Sequence, residues 1–103
     1  MSRYVLTPLA IADIFQIWSY IAQDNIQAAN RVEDAIYDAC EMIAENPSVG
    51  HSCAGITTRF LRFWTLVRYS NYTLVYRPDT RPLEIVAVLH GRRNIPSILR
   101  GRL

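Results

Sequence analysis

The sequence predicts an α+β fold with the order β-α-α-β-β-β, in which an N-terminal helical hairpin packs on a mostly antiparallel four-stranded sheet. Three observations predict this class. Apolar residues recur every three to four positions in the first two-fifths of the chain, β-branched and aromatic residues then dominate three short segments, and turn residues separate those segments. The chain has 103 residues and half of them are apolar, which is enough for one core. We therefore expect residues 1–103 to form a single domain.

A short strand over residues 3–6 precedes the first predicted helix. Thr7 offers a side-chain oxygen as N-cap, and Pro8 suits the first helical position because its missing N–H has no partner there in any case. We therefore expect a helix over residues 8–22. Its predicted core stripe, with members three and four positions apart, consists of Ile11, Ile14, Phe15, Trp18, Ile21 and Ala22.

The second predicted helix begins beside a possible capping box, formed by Asp24 and Gln27 three residues later. Asn46 and Pro47 end it, because proline disfavours helical geometry in the residue before it. Its stripe consists of Ala29, Val32, Ile36, Ala39, Cys40 and Ile43.

The sheet segments follow a predicted loop over residues 46–58. Strands are expected over 59–68, 72–77 and 83–90, joined as a meander by turns at Ser70-Asn71 and Pro78-Asp79. Strict alternation along the last strand divides its side chains between two faces. Glu84, Val86, Val88 and His90 then share one face, and Leu83, Ile85, Ala87 and Leu89 share the other.

Charge is distributed unevenly along the chain. Residues 1–50 hold two arginines against seven acidic residues, whereas residues 51–103 hold nine arginines against two acidic residues. All eleven basic residues are arginine, whose planar fork binds carboxylate or phosphate through two hydrogen bonds. The basic second half suggests an anionic partner, either nucleic acid or an acidic protein segment.

The cysteines and histidines do not predict a metal site or a disulfide. Cys40 and Cys53 are outside any CxxC spacing, and we expect both to be reduced thiols. His51 and His90 add no second pair with the spacing of metal ligands, so we expect neither metal nor cofactor. The chain also shows no apolar run of membrane-spanning length and no secretory signal pattern, from which we expect a cytoplasmic protein.

The stretch "AVLHGRRN" at residues 87–94 is the first candidate for a functional site. Gly91 frees the backbone to turn, so that Arg92 and Arg93 follow directly after the strand. His90 precedes this turn, and the residues leave open whether it serves acid-base chemistry or only donates and accepts hydrogen bonds. Aromatic residues interleaved with arginines over 59–77 fit either nucleic-acid stacking or simple core packing.

The order of these segments resembles the RelE/ParE toxin superfamily of bacterial toxin-antitoxin modules. The resemblance spans nearly the whole chain: Thr7-Pro8 opening into "ADIFQIWSYIA", then "AANRVEDAIYDACEMIAENPSVG", "YTLVYRPDT" and "LEIVAVLHGRR". "LVYR" and "VLHGRR" in successive strands are similar to the ParE branch, which includes plasmid-stabilisation toxins. The resemblance implies two helices against an antiparallel sheet and a small acidic antitoxin that forms a hetero-oligomer with the toxin.

For the ParE branch, the resemblance implies a toxin that binds and inhibits DNA gyrase rather than an enzyme. The target-binding residues are then expected to be basic and apolar positions of the C-terminal region, with His90 as a positioning hydrogen-bonder. The antitoxin's acidic C-terminal segment is expected along the helices and the basic sheet. The predicted target contacts are Arg92, Arg93, Arg100, Arg102, Ile98 and Leu99, and the predicted antitoxin contacts are Arg59, Arg62, Arg68 and Arg77.

The alternative is a RelE-like, metal-independent endoribonuclease that cleaves mRNA in the ribosome. Its site would comprise His90, Arg92, Arg68 and Arg62. The strand positions that carry catalytic basic residues in RelE-type enzymes are occupied here by Trp64, Leu66 and Thr73. None of these can stabilise phosphorane charge or move a proton at neutral pH, which argues against cleavage. A third hypothesis is a basic nucleic-acid-binding domain, whose affinity would fall steeply with salt.

Overall fold

The computed structural model describes residues 3–52, 61–91 and 95–102. It shows an α+β fold in which an N-terminal helical hairpin packs on a mixed sheet, as the sequence predicts. The structure contains two elements that were not predicted from the sequence, a short strand after the hairpin and a C-terminal helix. The elements are β1 (Tyr4–Leu6), α1 (Pro8–Ala22), α2 (Ile26–Glu45), β2 (His51–Ser52), β3 (Arg62–Thr65), β4 (Tyr72–Arg77), β5 (Leu83–His90) and α3 (Ile95–Arg102).

The helix boundaries follow from their capping residues. The Thr7 side chain accepts a hydrogen bond from the Ala10 N–H at 3.1 Å, which confirms the predicted start of α1. The N-cap of α2 is Asn25, whose side chain accepts from the Ala28 N–H, so the predicted capping box beginning at Asp24 is wrong by one residue. Asp24 belongs to the preceding turn instead, because its N–H donates to the Ile21 carbonyl at the end of α1.

The sheet has the strand order β1-β5-β4-β3-β2, with β1 parallel to β5 and the other neighbours antiparallel. The predicted bounds of β4 and β5 are confirmed, whereas β3 is shorter than the predicted 59–68, of which residues 59–60 lie outside the described part. The extra strand β2 falls in the predicted loop. It has only two residues, too few to show any periodicity in the sequence.

The stripe predicted for α1 is partly wrong. Ile14 is buried, but Ile11 and Phe15 are 54% and 67% exposed, while Ala10 is fully buried. The cause is that apolar residues occur nearly all round this helix, so their period alone cannot select the face that contacts the sheet. In α2, where polar residues separate the apolar ones, every member of the predicted stripe is buried.

A β-bulge in β5 overturns the predicted alternation. Val75 of β4 pairs with Ala87 and Tyr76 pairs with Ile85, so Val86 has no partner on β4. After the bulge every side chain of β5 changes face. The helix-facing core therefore includes Leu83, Ile85 and Val88, and the core on the opposite face includes Val86, Ala87 and Leu89.

Helix α3 covers that opposite face. Leu99 is fully buried in the second core, and Ile98 packs against it. The sheet is thus covered by the α1–α2 hairpin on one face and by α3 on the other. In the described ranges, no helix is long and apolar enough to cross a membrane.

Candidate functional site at the end of strand β5

The last residue of β5 and the first residue of β4 bring two aromatic rings together. His90 is exposed and pairs across the strands with Tyr72, with ring centroids 5.0 Å apart and the rings tilted by 47°. Gly91 has φ of +70°, and its N–H donates to the Asn71 carbonyl at 2.7 Å. The predicted turn at Gly91 is confirmed, while Arg92 and Arg93 lie outside the described residues.

A pocket of about 420 Å³ opens between α1 and the adjacent ends of β4 and β5. The α1 residues that line it are spaced at i, i+3, i+4 and i+7, so they share one face of the helix. Tyr20 stands at this wall with 73% of its surface exposed. We call this cavity the α1 pocket; it is lined by Asp13, Gln16, Ile17, Tyr20, Tyr72, Val88 and His90.

An ion pair closes one side of the α1 pocket. Both guanidinium NH groups of Arg102 donate to the carboxylate of Asp13, at 2.6 and 2.7 Å, and one also donates to the Val86 carbonyl. The Asp13 carboxylate additionally accepts the Val88 N–H at 2.9 Å. The side chains of Asp13 and Arg102 are only 12% and 15% exposed, and the hydrogen bonding that Arg102 donates to Asp13 raises the pKa of the guanidinium. Both carboxylate oxygens are therefore engaged within the chain.

The ion pair also completes the edge of β5. Strand β1 pairs with β5 only as far as Ile85, where the Thr7 N–H donates to the Ile85 carbonyl. Beyond that point side chains replace the strand, since Val88 donates to Asp13 and Arg102 donates to Val86. These polar backbone groups would otherwise be partly buried without partners.

The predicted target-binding residues of the C-terminal helix have different surroundings. Arg100 is exposed, with the Ser97 hydroxyl 3.5 Å from its guanidinium. Arg102 forms the ion pair with Asp13, and Leu99 is fully buried. Ile98 is half-buried against the second core. Arg100 is therefore the residue of this described set whose side chain faces solvent.

The predicted antitoxin-binding arginines are also spread over the sheet. Arg62 donates to the Gly50 carbonyl at 2.7 Å, and Arg77 forms an ion pair with Glu84 at 2.6 Å. Arg68 is exposed in the turn between β3 and β4, and Arg59 lies outside the described residues.

Two residues of the alternative nuclease site, Arg62 and His90, lie far apart on the sheet. Tyr72, opposite His90, and Tyr76, opposite Arg62, are four residues apart on β4, which corresponds to about 13 Å along the strand. Arg68 lies at the His90 end of the sheet, and Arg92 is outside the described part. Acid, base and charge stabilisation must meet at one phosphate, so Arg62 and His90 do not form one site in this structure.

The three positions aligned with the catalytic basic residues of RelE-type enzymes lie on different faces of the sheet. Trp64 and Leu66 pack in the helix-facing core. The Thr73 hydroxyl lies 3.1 Å from that of Thr65, and its strand neighbour Leu74 belongs to the helix-facing core, so Thr73 points to the other face.

Cys40 has no features of a reactive thiol. It is fully buried, and this burial raises its pKa to about 12, so the thiol is neutral at physiological pH. Cys53 lies outside the described residues. In residues 3–52, 61–91 and 95–102, no three His, Cys, Asp or Glu side chains come together as ligands for a metal ion.

Sequence reasoning missed the helix wall of the α1 pocket. Asp13 is the only charged residue between Pro8 and Ala22, and a lone carboxylate among apolar residues indicates a buried partner. That signal was present. Its partner Arg102 lies 89 positions away and could not be inferred from local pattern.

A helical hairpin on a mixed sheet, with a basic second half and an exposed strand end, defines this chain as a small α+β protein. The family model described as "ParE toxin of type II toxin-antitoxin system, parDE" matches residues 4–95. The chain belongs to this family.

Known relatives agree with that assignment. The chain is 27% identical over 96 residues to "Toxin ParE1" of Mycobacterium tuberculosis, in both strain CDC 1551 / Oshkosh and strain ATCC 25618 / H37Rv. Each match covers 91% of this chain and 94% of the relative. A solved structure, "Chromosomal ParDE TA system from P. aeruginosa", is similar with a TM-score of 0.71 and 17% identity, covering 86% of this chain and 95% of that one. This last likeness shows the fold alone.

Proposed function

We propose that this ParE-family toxin acts by binding DNA gyrase and blocking its cycle, without cleaving RNA. The observation that carries the proposal is the separation of His90 from Arg62, together with non-basic side chains at Trp64, Leu66 and Thr73. Among the described residues, Arg62 and His90 do not meet at one point, and this arrangement is suited to binding rather than to phosphoryl chemistry.

Arg100 is the best-placed described residue for a target contact. It projects from α3, which is held on the sheet by Leu99 and by the ion pair of Arg102. A cation on a docked helix loses less conformational freedom on binding than one on a free tail. Removing residues 97–103 would expose the second core, so a point substitution tests the contact more cleanly than a truncation.

The test is a gyrase supercoiling assay beside an in vitro translation reaction. We expect the purified chain to inhibit supercoiling and to leave transcripts intact. Arg100→Glu should weaken inhibition with an unchanged midpoint of urea unfolding, while Arg31→Glu, an exposed arginine of α2, serves as the matched control. Cleaved transcripts with unaffected gyrase would overturn the proposal.

The proposed protein partner is a cognate antitoxin with an acidic C-terminal segment. Two observations support a surface for it: Ile11 is 54% exposed on α1, and Arg68 is exposed at the end of the sheet. An exposed apolar side chain suits the apolar face of an amphipathic segment, and an exposed cation suits its acidic residues. Ile11→Glu is expected to weaken binding of the small acidic protein encoded beside the toxin, measured by calorimetry. Equal affinity for Ile11→Glu and the parent would reject this surface.

A RelE-like ribosome-dependent endoribonuclease remains the second candidate function, and one observation favours it. His90 is exposed beside Tyr72, and the turn that holds Arg68 leads into Tyr72, so an acid-base group and a cation lie at the same end of the sheet. The translation reaction tests this alternative. The nuclease hypothesis predicts that the parent protein cleaves mRNA in that reaction and that His90→Ala does not.

A further inference from the structure

We infer that the α1 pocket binds a nucleotide, with the base inside the pocket and the phosphate beside the β3–β4 turn. This inference goes beyond gyrase and antitoxin binding and does not depend on either. It rests on the shape of the pocket, on the aromatic and polar groups that line it, and on a cation at its end of the sheet.

The size and the walls of the pocket suit a flat ring. Its volume of about 420 Å³ lies in the range of small-ligand sites. Ile17 and Val88 provide apolar surface, while Tyr72 and His90 present a tilted pair of rings from the sheet. Tyr20 lines the pocket from α1 and is largely exposed. Aromatic side chains in such an arrangement stack on bases, whatever the base identity.

Polar groups in the pocket favour a heterocycle over a hydrocarbon side chain. Gln16, Tyr20 and Tyr72 are among the lining residues, and their side chains carry amide and hydroxyl groups that can donate and accept hydrogen bonds. Two effects raise the pKa of Tyr72, burial most and the nearby Tyr20 less. Its hydroxyl is therefore protonated and can donate a hydrogen bond at neutral pH. A leucine or phenylalanine from a protein partner would cover these groups without pairing them, whereas the edge of a base offers both donors and acceptors.

The charges around the pocket permit a phosphate. Asp13 is the only carboxylate among the described residues of its lining, and the guanidinium of Arg102 neutralises it through two hydrogen bonds. Arg68 is exposed in the turn that leads directly into Tyr72. The same turn is held against the end of β5, because Gly91 donates to Asn71. An anion bound beside this turn therefore meets a cation and no unpaired acid of the pocket lining.

The source of the nucleotide is either a free mononucleotide or an unpaired residue of a single strand. Calorimetric titration of the purified chain with AMP, GMP, CMP and UMP, and separately with short single-stranded oligonucleotides, distinguishes them. Binding of both indicates a free nucleotide site. Binding of oligonucleotides alone indicates a single strand, and either result supports the inference.

Variants at the pocket give the decisive comparison. Tyr20→Ala is expected to weaken binding by roughly 5- to 150-fold, the range that corresponds to the loss of one base stacked on an aromatic side chain. Tyr20 is 73% exposed, so this substitution leaves the core intact. Phe15→Ala is the matched control: Phe15 is an exposed aromatic residue of the same helix, outside the pocket lining, and its loss should leave nucleotide affinity unchanged.

The phosphate contact is tested separately. Arg68→Gln should weaken binding of AMP but not of adenosine, and should flatten the salt dependence of oligonucleotide binding. The inference is overturned if no nucleotide or oligonucleotide binds at millimolar concentration, or if Tyr20→Ala and Phe15→Ala behave alike. It is likewise overturned if the pocket variants alter only antitoxin binding. None of these results bears on gyrase inhibition, which the supercoiling assay measures independently.

Discussion

The carboxylate of Asp13 and the guanidinium of Arg102 meet through two hydrogen bonds of 2.6 and 2.7 Å, joining α1 to the end of α3 across the edge of β5. The same carboxylate receives the Val88 N–H, and the same guanidinium donates to the Val86 carbonyl. One pair of side chains thus connects the two layers that cover the sheet and replaces a missing strand at its edge.

Breaking this pair from one side should destabilise the fold. Asp13→Ala leaves a largely buried guanidinium without its anion and the Val88 N–H without its acceptor, for which we expect a loss of about 3 kcal/mol in the free energy of unfolding. Urea denaturation measures this loss. The control is Arg100→Ala at an exposed position, which should change the free energy of unfolding by less than about 0.5 kcal/mol.

The double variant separates the ion pair from its surroundings. Because Asp13 and Arg102 act on each other, Asp13→Ala combined with Arg102→Ala should cost less than the sum of the single changes. Strict additivity would show that the two side chains stabilise the protein independently, contrary to the geometry.

Gly91 should resist substitution for backbone reasons alone. Its φ of +70° lies in the left-handed region, yet a Cβ added there would meet no described atom within 4 Å. Gly91→Ala is therefore expected to cost about 1–2 kcal/mol, and Gly91→Asn less. Gly101→Ala is the control: it also has open space but lies in α3, where alanine is favoured by up to about 1 kcal/mol. Thermal unfolding of the three variants compares them.

Tyr76 ties the loop after α2 to the sheet. Its hydroxyl accepts the Gly50 N–H at 2.9 Å and donates to the Pro47 carbonyl at 2.7 Å, deep in the helix-facing core. Tyr76→Phe should lower the free energy of unfolding by about 1–3 kcal/mol, since buried polar groups lose their partners. Tyr37→Phe, which removes only a long 3.5 Å contact to Glu33, should change it by less than about 0.5 kcal/mol.

The same contact explains why residue 50 is glycine. A Cβ there would lie 2.6 Å from the Tyr76 hydroxyl oxygen and 2.7 Å from the Phe63 carbonyl oxygen. Gly50→Ala should therefore destabilise the protein at least as much as Tyr76→Phe. Equal stability of Gly50→Ala and the parent in urea would contradict this close approach.

The buried thiol of Cys40 should make the folded protein less stable in alkaline solution. Its folded pKa of about 12 exceeds the ordinary thiol value of 9.0, so the unfolded chain releases this proton first. The stabilising contribution is full below pH 9 and declines as pH rises from 9 towards 12, by at most about 1.4 kcal/mol per pH unit. Cys40→Ala should flatten that decline in urea unfolding measured between pH 8 and pH 11. Parallel pH profiles for the variant and the parent would refute the assignment.

Local patterns were sufficient for most of the secondary structure. The bounds of α1, β4 and β5 agree with the prediction, as does the end of α2 at Asn46, because capping residues and turn residues act within a few positions. The basic second half and the strand end at Gly91 were equally visible in the sequence. The family resemblance rested on the order of these same segments, and the family match over residues 4–95 confirms it.

Only the tertiary structure decided which apolar residues form the core and which residues form the α1 pocket. The face of α1 was ambiguous because the helix is apolar nearly all round, and the bulge at Val86 reversed the faces of β5 after Ile85. Asp13 and Arg102 are 89 positions apart, and Tyr20 meets the Tyr72–His90 pair only because α1 crosses the ends of two strands. Sequence determines local geometry through neighbours a few residues away, whereas a pocket is made by contacts between distant segments.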